Sequence, residues 1–231
     1  MEDILDVSGD HRADAVARAG AALRDGEIVV LPTDTLYGVA ADAFNQQGTR
    51  RVFAAKERRR HAPLPVFVRS PKQLPGICAA LPSGAEELMA AYWPGPLTIV
   101  VAAQSGLHWD LGDDQGVVAV RMPLDDVALD VVREVGPLAV TGANRSGQPP
   151  ATTAMEAREQ LGSVVRFYLD DGPRTRQVPS TIVDLTRREP KVLREGAITT
   201  ADALAVATGE LDPLDAAARL EQRLTGEMRD D

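Results

Sequence analysis

The 231-residue chain has a single cysteine, Cys78, which excludes an intrachain disulfide and a multi-cysteine zinc site. Aromatic side chains make up only 4%, so the core has to be built mainly from Ala, Val, Leu and Ile. No apolar run reaches the roughly 18 residues of a membrane-spanning helix. Positive charge is scarce: the net charge is −9 and the pI is near 4.9. A broad nucleic-acid coat or an anionic-membrane binder needs the opposite balance. The opening MEDILDVSGD is acidic and has neither the cationic nor the apolar region of a secretory signal. Internal repeats are absent, as are the Walker A loop, a G-x-G-x-x-G after a strand, H-E-x-x-H and the G-x-S-x-G elbow. The three histidines, His11, His61 and His108, are too scattered for a metal site. These absences predict a soluble cytoplasmic protein without membrane attachment, metal ligands or a standard nucleotide signature.

What is present alternates between strand and helix patterns. Helical spacing covers 8–26, 46–57, 82–93, 124–136, 152–162, 200–209 and 212–228, with Ser8 or Asp10 able to cap the first and Gly26 and Gly136 following two of the ends. Short apolar runs at 27–32, 64–68, 97–103, 116–123, 137–144, 164–170, 180–185 and 191–195 read as strands. Some neighbouring strands are joined by short loops, which favours antiparallel pairs. The expectation is an α/β (α+β) fold: a mixed, twisted sheet with helices packed on it.

Four segments put hydroxyls, amides or cations at strand ends, where loops of such a scaffold carry function. In LPTDTLYG, Thr33 and Thr35 flank Asp34; they can bind a small polar substrate, or Asp34 can make a turn or cap. Residues 50–60 hold six cations against Glu57, a net of +5, so the rest of the chain sums to −14. A helix C-terminus welcomes one or two of these; the whole cluster fits either a solvated face or a bound polyphosphate. His61 follows directly. Arg121 ends the strand VAVR and can hold a carboxylate through two parallel hydrogen bonds, or form a surface ion pair. In TGANRSGQPP, Gly142 and Gly147 allow close backbone approach and Asn144 offers donor and acceptor together; Ser180 and Arg194 lie at later strand ends. Each of these can also be an ordinary turn residue or cap.

The ordered set PTDTLYG, KERRRHAPLPVFV, WPGPLTIVV, VAVRMP, TGANRSG, PSTIVDL and LREGAI resembles the YrdC-like family of L-threonylcarbamoyladenylate synthases. The likeness runs from about Arg24 to Ile198, some three quarters of the chain. It implies a YrdC-like fold with a positively charged concave face. It also implies synthesis of threonylcarbamoyl-AMP and pyrophosphate from L-threonine, bicarbonate and ATP, with Mg²⁺ on the triphosphate. A threonylcarbamoyl transferase complex would then modify tRNA beside the anticodon, with transient tRNA contact an open question.

By position, the resemblance places Lys56 and Arg58 as catalytic residues on the ATP phosphates, with Gly142, Asn144 and Arg194 on the nucleotide. Thr35, His61, Arg121 and Ser180 would hold L-threonine. Two departures stand out: Gly142 replaces the serine of the family's S-x-N signature, and Pro150 falls where some members have another serine. Thr141 or the Gly142 N–H can substitute for the first. The expected layout is a catalytic domain over 8–200 and a helical, acidic tail over 201–231, net −5. Only 33 residues follow Ile198, too few for the accessory domain of longer members. The alternatives are a non-catalytic RNA-binding protein and a related carbamoyl-adenylate-forming enzyme, the latter disfavoured by the single cysteine.

Overall fold

The computed structural model describes residues 3–113, 115–175 and 178–226; the last five residues of the expected acidic tail lie outside them. Ten strands form one mixed sheet: β1 (Ile4–Asp6), β2 (Val29–Leu31), β3 (Gly38–Asp42), β4 (Val66–Phe67), β5 (Leu97–Ala102), β6 (Val117–Arg121), β7 (Leu138–Gly142), β8 (Phe167–Asp170), β9 (Thr181–Asp184) and β10 (Lys191–Arg194). Their spatial order is β1-β8-β2-β3-β7-β4-β6-β5-β9-β10. The β2/β3, β3/β7, β4/β7, β5/β6 and β9/β10 pairs are antiparallel, and the rest are parallel. Among the described residues seven α-helices flank it: α1 (Arg12–Arg24), α2 (Gln46–Lys56), α3 (Ala85–Tyr92), α4 (Asp126–Val135), α5 (Ala154–Leu161), α6 (Thr200–Thr208) and α7 (Pro213–Thr225).

Successive strand residues point to opposite faces, so the sheet separates two cores. Val29 and Leu31 join a cluster with α1 and α4, whereas Ile28 and Val30 join a larger one. The larger cluster also takes Val52 and Phe53 of α2, Leu88 of α3, Ala157 of α5, Val206 of α6 and Ala216 of α7. The same alternation organises β6. Val118 and Val120 are buried in the larger core, while Val117 and Ala119 are half-buried on the other face. With Val100 of β5 and Ile182 of β9, they floor a cavity.

Two strands depart from the sequence reading. The first is β1, three residues long and held by parallel pairing with β8. The second is β3, whose GVAAD is rich in residues of low strand propensity. It is held on both sides by antiparallel ladders to β2 and β7.

Candidate active site

The cavity has a volume of about 780 Å³ and draws together segments far apart in sequence. Its wall includes Thr33, Thr35, Lys56, Arg58, Arg121, Thr141, Gly142, Asn144, Ser180 and Arg194. Among the described residues four cations line it and no Asp or Glu does. His61 is exposed and absent from the lining, so this conformation does not bring it to the other expected threonine residues.

Lys56 is placed by the helix that ends on it. Asn45 caps the start of α2, its side chain accepting from the N–H groups of Gln47 and Gly48. Val52 and Phe53 lock one helix face to the core. At the far end Glu57 takes a left-handed conformation with φ 52°. The Glu57 and Arg58 N–H groups then donate back to Ala54 O at 3.1 Å and Phe53 O at 2.9 Å. This closes the helix and turns the chain into the loop that carries Arg58.

The Lys56 ammonium is buried and donates to the carbonyls of Gly142 and Asn144. The Ser146 N–H donates to Lys56 O at 2.9 Å, so helix end and loop are joined through both side chain and backbone. Burial, with the Arg58 charge adding to it, pulls the Lys56 pKa down to about 8. Arg58 is held by the carbonyls of Ala62 at 2.8 Å and Pro63 at 3.1 Å. The remaining cations of the basic stretch disperse. Arg50 and Arg60 pair with Asp110, Arg51 donates to Gly26 O at 2.7 Å, and Arg59 is exposed.

The strand-end loop 140–150 supplies the opposite wall. Asn144 Nδ2 donates to Arg145 O at 2.9 Å and Gln148 O at 2.8 Å, so this side chain organises its own loop. A Cβ on Gly142 would meet Asn144 Oδ1 at 2.9 Å. Glycine therefore lets the asparagine fold over the strand end. Thr141, Ser146 and Pro150 also line the cavity; Ser146 is a hydroxyl the motif reading had passed over.

Arg121 is the most deeply set cation after Lys56, 4% exposed. Its Nε donates to Gly95 O at 3.0 Å, Nη1 to Thr35 Oγ1 at 3.3 Å and Nη2 to Asp34 Oδ1 at 2.7 Å. Phe67 lies against the guanidinium, 5.6 Å from its ring centre. Asp34 thus neither caps a helix nor makes a local turn. The local turn belongs to Thr33, whose hydroxyl donates to Leu36 O at 2.6 Å and accepts from the N–H groups of Thr35 and Leu36. The Thr33 and Thr35 hydroxyls are 3.0 Å apart.

Ser180 lies between two partners. Its Oγ is 2.9 Å from Thr98 Oγ1 and accepts from Arg194 Nη2 at 3.0 Å. Arg194 also grips Ser180 O through Nε at 3.0 Å and Nη2 at 2.8 Å. Two residues expected to serve different substrates are therefore directly bonded. Burial, then the charges of Arg121 and Arg58, lower the Arg194 pKa. Thr98 was not singled out from the sequence; the signal was a lone hydroxyl within the apolar run LTIVV.

A second cavity of about 600 Å³ lies behind the Thr33–Thr35 turn. Asp34 and Thr35 form part of its wall, facing Tyr92, Pro94, Pro96 and the α7 residues Leu220, Glu221 and Arg223. Thr35 is common to both cavities.

A family model, Sua5/YciO/YrdC, described as "Telomere recombination", matches residues 21–196. A putative threonylcarbamoyl-AMP synthase of Mycobacterium leprae is 47% identical over 202 residues, 87% of this chain and 92% of that protein. The threonylcarbamoyl-AMP synthase of Bacillus subtilis is 35% identical over 80% of this chain and 54% of its own. Among solved structures, P. abyssi Sua5 complexed with L-threonine superposes with a TM-score of 0.84 at 31% identity, over 90% of this chain and 62% of that one. The chain thus spans a little over half the length of these last two relatives.

Proposed function

The chain belongs to the Sua5/YciO/YrdC family, and from that premise we propose that it is an L-threonylcarbamoyl-AMP synthase. It joins L-threonine, bicarbonate or CO₂, and ATP into threonylcarbamoyl-AMP and pyrophosphate. The observation that carries this is the convergence of four cations with the Thr35 and Ser180 hydroxyls in one cavity, with no carboxylate among its described lining residues. Such a lining suits a triphosphate at one end and a small hydroxylated carboxylate at the other.

In the reaction the threonine amine attacks CO₂, forming a carbamate. A carbamate oxygen attacks the α-phosphorus, and the bond to the bridging oxygen breaks as pyrophosphate leaves. Negative charge spreads over phosphate oxygens, so positioning and cations supply most of the catalysis. Lys56 and Arg58 take the phosphates, with Gly142 and Asn144 shaping the nucleotide end. Arg121 takes the threonine carboxylate, and Thr35 and Ser180 its polar atoms. Arg194 contributes charge and holds Ser180.

No cluster of three His, Cys, Asp or Glu side chains stands ready for a metal among the described residues. Mg²⁺ would come to this site on the ATP phosphates, as part of the substrate. Among the described residues no helix is long and apolar enough to cross a membrane. The product then serves a threonylcarbamoyl transferase acting on tRNA.

The test is pyrophosphate release from ATP, bicarbonate and Mg²⁺ with and without L-threonine, with the adenylate product identified by mass. Release that depends on threonine supports the proposal; release indifferent to it refutes the proposal. In parallel, Lys56→Ala should raise the ATP requirement and Arg121→Ala the threonine requirement.

A further inference from the structure

The proposed site uses Arg121 but leaves unexplained the acid bonded to it. Asp34 and Arg121 form an ion pair of 2.7 Å with side chains 10% and 5% exposed. A guanidinium this deep is costly to hold without a counter-charge. The acid is itself fixed, because the Leu124 N–H donates to the same Oδ1 at 3.1 Å at the entry to α4. Arg121 is therefore tied in three directions, to Asp34, Thr35 and Gly95, with Phe67 against its plane. Three of its five N–H groups are engaged, and two are left for a ligand.

The two partners face different spaces. Arg121 lines the first cavity; Asp34 lines the second and not the first. The Thr33 turn causes this, directing the hydroxyls of Thr33 and Thr35 to the first cavity and the intervening carboxylate behind them. Asp34 is not part of the first cavity's wall, and its bond to that cavity runs through Arg121. It can act on the angle and the charge of Arg121.

Resting on the reading of Arg121 as the carboxylate-holding group, we propose that Asp34 is the positioning residue for L-threonine. It sets the two remaining Arg121 donors at the angle a carboxylate needs and cancels the charge that would otherwise retain any anion. The nucleotide, held by Lys56 and Arg58, is outside its influence.

The experiment is steady-state kinetics on Asp34→Asn, Asp34→Glu, Arg121→Ala and the double variant Asp34→Asn/Arg121→Ala. Asparagine keeps an acceptor for the Leu124 N–H and removes the charge, with an NH₂ in place of the second carboxylate oxygen. Asp34→Asn should raise the threonine KM about ten-fold, with kcat and the ATP KM within about two-fold. In the double variant it should add less than about two-fold to the Arg121→Ala effect, because both act through one group. Asp34→Glu keeps the charge but moves it by a methylene, and should still raise the threonine KM several-fold. Multiplying effects in the double variant, equal rises in both KM values, or a wild-type threonine KM in Asp34→Glu would each overturn the proposal. If Asp34→Asn does not fold, the Asp34→Glu result decides. A wild-type threonine KM in Arg121→Ala would instead overturn the reading of Arg121 itself, and the Asp34 proposal with it.

Discussion

Gly196 sits against the backbone that carries Ser180, and replacing it with alanine tests how tightly the Ser180 end of the cavity is built. A Cβ there would lie 2.2 Å from Pro179 O, 2.6 Å from Ser180 C and 2.8 Å from Ser180 O. All three are backbone atoms, so no side chain can swing aside. Restoring even a tight 3.0 Å contact needs a retreat of about 0.8 Å by one strand end or the other. The Ala197 N–H to Pro179 O bond of 3.1 Å and the Gly196 N–H to Thr181 Oγ1 bond of 3.0 Å both resist that retreat.

Ser180 Oγ has bonds of 2.9 and 3.0 Å on its two sides. A shift of that size carries at least one of them beyond about 3.2 Å, the outer edge of good geometry. Overpacking of this kind costs about 1–3 kcal/mol, which at about 2–4 °C per kcal/mol lowers the melting temperature by roughly 2–12 °C. The assay is a thermal melt by circular dichroism paired with threonine-dependent pyrophosphate release. Gly196→Ala should melt earlier and need more threonine. An unchanged melt with an unchanged threonine KM would show that the contact is soft and the reasoning wrong.

Three other outcomes follow from the structure. The unfolded chain holds the Lys56 proton to about 10.5 and the folded chain only to about 8. Between those values the folded state binds fewer protons, so the stability due to this residue rises with pH, by up to about 3 kcal/mol. Compared by urea unfolding at the two ends of that window, the wild type should gain stability relative to Lys56→Met, in which this contribution is absent. Thr98→Val removes one of the two side-chain partners of Ser180; it should raise the threonine KM a few-fold at a stability cost of about 1 kcal/mol. Cys78 is buried, which pushes its thiol up to about 11. It should resist alkylation at pH 8 in the native protein and react once urea unfolds the chain.

Much of the scaffold could be read from periodicity because its helices carry clear caps and apolar stripes. Strand β3 could not. GVAADA has no branched or aromatic signature beyond Val39, and its strand character comes from the ladders on either side. The site was legible as an ordered set of segments, since each motif sits at a strand or helix end where the fold gathers them. What the motifs did not carry was the bonding among them. The pairing of Arg194 with Ser180, and of Arg121 with Asp34, joins residues 14 and 87 positions apart. His61 shows the limit from the other side: the left-handed turn at Glu57 and the carbonyl contacts of Arg58 leave it exposed.

The partition between the two cavities bears on inhibitor chemistry. A compound aimed at the first cavity has to answer four cations, so it carries negative charge and crosses membranes poorly. The second cavity is walled by Pro94, Pro96, Leu220 and Leu224, with Asp34 and Glu221 among its polar groups. Its lining suits a neutral or weakly basic molecule with an apolar body. Such a molecule would meet Asp34 and Thr35 from behind, leaving the first cavity untouched and reaching the Thr33–Thr35 turn through its supports.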